Sequence, residues 1–60
     1  MRDPNRLYKF YTELQRIHIE YFPDLRFGQL ILLLQSALGD PFYWEEDEYL
    51  EKLRKYVGEE

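Results

Sequence analysis

At 60 residues the chain makes one domain, 1–60. A chain of this size buries only about 60% of its unfolded surface, which leaves little bulk to enclose a substrate pocket. Twelve acids against eight bases give a formal net charge of −4, which argues against binding nucleic-acid phosphate as the main task. There is no cysteine, so disulfides and thiolate metal sites are excluded.

Asp3-Pro4 predicts the start of a first helix, because Asp caps free first-turn amides and Pro is tolerated at the first helical position. Leu7, Phe10, Tyr11, Leu14, Ile17, His18 and Tyr21 then recur at spacings of three and four, the signature of one apolar helical face over residues 4–21. Lys9 and Glu13 are expected to pair one turn apart. Tyr8 and Ile19 lie off the stripe, either as scattered surface apolars or as the edge of a second contact. Pro23 ends the helix by restricting the residue before it.

Asp24 predicts the cap of a second helix over 25–38, with a start nearer Phe27 as the alternative. The stretch 27–39, FGQLILLLQSALG, holds no charge in a chain that is 33% charged. Phe27, Leu30, Ile31, Leu34, Ala37 and Leu38 share one face, with Gln29 and Ser36 opposite and Leu32 and Leu33 on the flanks. An apolar arc this broad predicts neighbours on more than one side. It is too short to cross a bilayer, which takes roughly 20 apolar residues. Arg26 is expected to pair with Asp24 or with an acid of the third helix, and Gly28 to admit a close neighbour. Gly39 and Asp40-Pro41 predict the stop.

Phe42, Tyr43 and Trp44 form an aromatic loop, expected to fold back as a lid over the core. Glu45, Glu46, Asp47 and Glu48 suit the positive end of a third helix, 46–57, whose last turns carry Arg54 and Lys55. Glu48–Lys52 and Glu51–Lys55 have the favourable acid-first spacing of four. Tyr49, Leu50, Leu53, Tyr56 and Val57 form its apolar face, Gly58 stops it, and Glu59-Glu60 are expected to fray. The fold class read from the chain is all-α, a small three-helix bundle.

No residue constellation points to catalysis. His18, the sole histidine, sits on an apolar stripe with no nucleophile or second ligand beside it, which suits a hydrogen-bonded interfacial ring. The run at 45–48 lacks the alternating acids and glycine of a calcium loop. A helix-turn-helix reader needs basic or amide side chains toward the groove, whereas the third helix opens with acids. The reading is therefore not an enzyme, with no cofactor, no metal, no direct nucleic-acid binding and no membrane span. The N-terminus lacks the apolar run of a secretory signal, so a cytoplasmic location is expected.

The segments PDLRFGQLI (23–31) and DPFYWEEDE (40–48) resemble a group of short uncharacterised proteins of bacteria and their phages. The likeness rests on Asp24, Arg26, Gly28, Gln29, Asp40, Pro41, Phe42, Tyr43 and Glu46. It implies a small helical protein and carries no site residues.

Two functions from different classes follow. One is a protein–protein interaction module, binding a protein partner or itself as a dimer through the apolar helix 27–38, with Tyr8, Ile19, Leu32 and Leu33 as candidate contacts. The other is an acidic inhibitor or decoy of a nucleic-acid-binding protein, acting through residues 45–51 with steep salt dependence.

Overall fold

A computed structural model describes residues 2–59. Three helices, α1 (Arg6–Tyr21), α2 (Phe27–Leu38) and α3 (Glu46–Val57), make a small all-α bundle. α1 starts later than Asp3-Pro4 predicts, and α2 takes the alternative start at Phe27. Asp3 takes the amide of Asn5 on its side chain at 2.9 Å, and the first turn closes through three-residue bonds from Arg6 to Asp3 and from Leu7 to Pro4. Regular helix therefore begins at Arg6. Asp24 does not cap α2; Gln29 Oε1 accepts from the backbone N–H of Arg26 at 2.8 Å and fixes the start at Phe27.

Both glycine stops form as expected. Gly39 holds a φ of 105°, and its amide donates to Gln35. Gly58 is left-handed, and the amides of Gly58 and Glu59 reach back to Lys55 and Arg54, the paired bonds of a Schellman ending. Glu59 is thereby anchored instead of frayed; Glu60 lies outside the described residues.

The core clusters Ile17 of α1, Leu30 and Leu34 of α2, and Leu53 of α3, each at most 1% exposed, and Leu50 of α3 is buried too. Leu14, Phe22, Leu25, Leu38, Tyr49 and Val57 pack around them. α3 packs against both other helices, and direct contact between α1 and α2 is the thinnest of the three. The uncharged α2 is thus a flank of the bundle, and α3 is its hub. Leu32 is 68% exposed and Phe27 60% exposed, so α2 buries one side only. Ala37 is exposed as well.

The ion pairs fix how the helices run. Arg6 reaches Glu46 at 2.8 Å at one end, while Arg54 reaches Glu13 at 3.1 Å and Arg16 reaches Glu59 at 2.8 Å at the other. Start faces start and end faces end, so α1 and α3 are parallel and α2 returns between their ends. His18 latches the first turn. Its Nε2 lies 2.7 Å from the carbonyl of Leu25; a carbonyl can only accept, so this nitrogen carries the proton.

Among the described residues no helix is long and apolar enough to cross a membrane. No three metal-ligating side chains among them converge on one point.

Candidate interaction site

The thin α1–α2 contact leaves an apolar groove. Phe10 and Leu14 of α1 recur one turn apart, as do Phe27 and Ile31 of α2, and Tyr49 of α3 and Pro41 of the loop complete a cleft of about 270 Å³. Tyr11 and Gln35 also line it, and no charged side chain does. The rings are held edge to face: Phe10 meets Tyr11 at 5.2 Å and Tyr49 at 5.9 Å between centroids. Burial pushes the Tyr49 hydroxyl pKa up, as expected where water is excluded from around a neutral phenol. Phe27 belongs to the helix face that also carries Leu30 and Leu34, but it occupies the first turn on the open side, so its ring forms a lip of the groove.

A second, larger depression of about 450 Å³ lies along α1, lined by residues including Leu7, Tyr8, Tyr11 and Thr12. Tyr8 and Ile19 are 76% and 62% exposed. They lie eleven positions apart, three helical turns, and so share the outer face of α1. Leu32 stands on α2 outside both hollows, and Leu33 is half-buried. The candidate contacts are therefore spread over two helices, and the continuous apolar surface lies where the periodicity places core.

The aromatic loop also differs from expectation. Asp40 Oδ1 accepts from the amide of Phe42 at 3.1 Å, and Trp44 N–H donates to the carbonyl of Pro41 at 3.0 Å. This tight turn puts Phe42 and Tyr43 at its two central positions, where they are 78% and 90% exposed and meet each other edge to face at 4.8 Å. They are not a lid. Trp44 alone folds back, 6.0 Å from Tyr49 and beneath the Lys52 ammonium at 4.8 Å. Lys52 sits on that ring and does not form the expected pair with Glu48.

Of the pairs expected from helical spacing, Glu51–Lys55 forms at 3.6 Å, whereas Glu13 is held from α3 as well as from its own helix. Arg16 donates to Glu13, Glu20 and both oxygens of Glu59, and Arg54 donates to the other oxygen of Glu13. Glu13 thus pairs with Arg16 and Arg54 and not with Lys9. The Glu59 carboxyl is held down to about 2 by its hydrogen bonds from Arg16 and then from the Tyr21 hydroxyl. Glu13 is lowered by Arg16 and Arg54, and Glu46 chiefly by Arg6. Within 45–51, Glu45 pairs with Arg2, Glu46 with Arg6 and Glu51 with Lys55. Arg26 forms no ion pair among the described residues, contrary to the expected Asp24 contact, and a side chain at Gly28 would meet open space instead of a neighbour.

The fold and the groove define a class: a compact helical bundle with one sealed seam and one open, apolar seam. No protein-family model, curated protein or solved structure matches the chain.

Proposed function

We propose that the chain is a protein–protein interaction module that docks a polypeptide, a partner or a second copy of itself, along the α1–α2 side of the bundle. The observation that supports this is the uncharged groove with two half-exposed rings, Tyr11 and Phe27, on its lips. Aromatic residues gathered at a desolvatable hollow are the usual composition of a contact core. Tyr8 and Ile19 on α1 and Leu32 on α2 would extend the contact.

Alanine substitution at Phe27, Tyr8, Ile19 and Leu32 tests the reading, with thermal midpoint and association measured side by side. These side chains are mostly exposed, so each costs within about 0.5 kcal/mol of stability, while Phe27→Ala weakens association about tenfold or more. Association lost only in step with the midpoint, or none by light scattering and none to any captured protein, contradicts it. An acidic decoy role at 45–51 finds less support, because three of its carboxylates already hold cations of the same chain.

A further inference from the structure

We infer that the occupant of the groove is a second copy of this chain, which inserts the Phe42–Tyr43 turn and receives its partner's turn in return. The inference rests on the interaction reading above and names the partner.

The turn is built to present its rings. Gly39 takes the positive φ that starts the loop, Asp40 and the Trp44 amide close it, and Trp44 anchors its base against Tyr49. Pro41 fixes one backbone angle between them. Two large aromatics held in water by a closed turn lose little further freedom on docking, which favours binding.

The turn and the groove also adjoin. Pro41 lines the groove and Phe42 leaves it, so anchor and receptacle lie side by side on one face. A two-fold axis between them carries each anchor into the other copy's groove, the self-complementary arrangement of an isologous dimer. The cleft, about 270 Å³, is just below the roughly 300 Å³ at which ligand pockets begin. That suits an inserted side chain better than a whole helix.

The charges complement in the same sense. α2 runs from Phe27 at one end of the groove to the Pro41 end, and Arg26, adjacent to Phe27, has no ion pair among the described residues. The anchor is flanked by Asp40, and by Asp47 and Glu48 of the following helix start, which also form no ion pair among the described residues. A docked turn lying along the groove brings its acidic flank toward the partner's Arg26, and the partner's toward its own.

Light scattering of the full chain from micromolar to millimolar concentration tests this. The expected result is a molar mass rising from 7.5 kDa toward twice that value. Phe42→Ala, at a side chain too exposed to support the fold, raises the dissociation constant about 30-fold. Arg26→Glu raises it about fivefold or more, and Lys55→Ala, at an exposed position of α3 outside the groove lining, leaves it unchanged. A mass of one chain at every concentration overturns the inference, as does a dimer weakened by Lys55→Ala and indifferent to Phe42→Ala. A monomer that still binds another protein through Phe27 overturns the dimer alone, whereas a monomer that binds nothing overturns the interaction reading with it.

Discussion

The two sides of α1 make opposite contacts. Toward α3 it is closed by packing around Ile17 and Leu53 and by the pairs Arg6–Glu46, Glu13–Arg54 and Arg16–Glu59. Toward α2 it shares the core at Leu30 and Leu34 but stands apart above it, with Phe10, Leu14, Phe27 and Ile31 left around a cleft. Charges seal one seam because parallel helices keep a constant register, and each arginine meets an acid 40 to 43 positions away. Apolar side chains line the other, yet hydrophobic residues alone do not close a gap unless shape allows it. The sealed seam holds the fold and the open seam offers a surface.

Leu53→Ala strikes the hub that both seams share. Deleting a fully buried leucine side chain costs about 2–5 kcal/mol, a large part of what a 60-residue domain holds. Urea denaturation followed by circular dichroism is expected to show a largely unfolded population. Gly39→Ala comes next. A φ of 105° suits glycine, and forcing a side chain there costs about 1–3 kcal/mol, so the turn that bounds the groove loosens with a lower midpoint.

Arg16→Gln opens the sealed seam selectively. It leaves Glu59 and Glu13 without their main cation, so the midpoint falls at neutral pH by less than in Leu53→Ala. The acid dependence changes too. Glu59, Glu13 and Glu46 have lower pKa values folded than unfolded, so the unfolded chain binds more protons as pH falls. Their contribution is complete above the ordinary carboxylate value of 4.5 and is lost as pH drops toward about 2. Thermal midpoints from pH 6 to 2 are expected to fall steeply in the native protein and less steeply in Arg16→Gln; equal slopes contradict the clamp. Smallest of all, Phe27→Ala is expected to leave the monomer's midpoint nearly unchanged, and a large drop would mean that the open seam is ordinary core.

The helices were legible because their signals are local. Leu50 and Leu53, or Leu30 and Leu34, recur at helical spacing, and Gly39 and Gly58 mark the stops wherever the rest of the chain lies. What was not legible depends on register between distant segments. Nothing near Glu59 in sequence reveals that Arg16 and Tyr21 will reach it, so a residue that reads as a frayed end becomes a clamp. Lys52 reads as a partner for Glu48 until Trp44 folds beneath it. The direction of Phe42 and Tyr43 was hidden for a related reason: composition assigns aromatic rings to the core, whereas the turn set by Asp40 and Pro41 aims them outward. The groove itself was half visible. The periodicity puts Phe10, Leu14, Phe27 and Ile31 on the apolar faces of α1 and α2, and only the separation of the two helices leaves them around a cleft.

The most direct measurement is an isotope-filtered nuclear Overhauser experiment on a concentrated mixture of labelled and unlabelled chain, observing the Ile31 and Leu14 methyl groups of the labelled copy. If the open seam receives the partner's turn, these methyls show contacts to the Phe42 ring of the unlabelled copy. If those methyls show only contacts within their own chain, the groove is not where the copies meet and the account of the open seam is wrong.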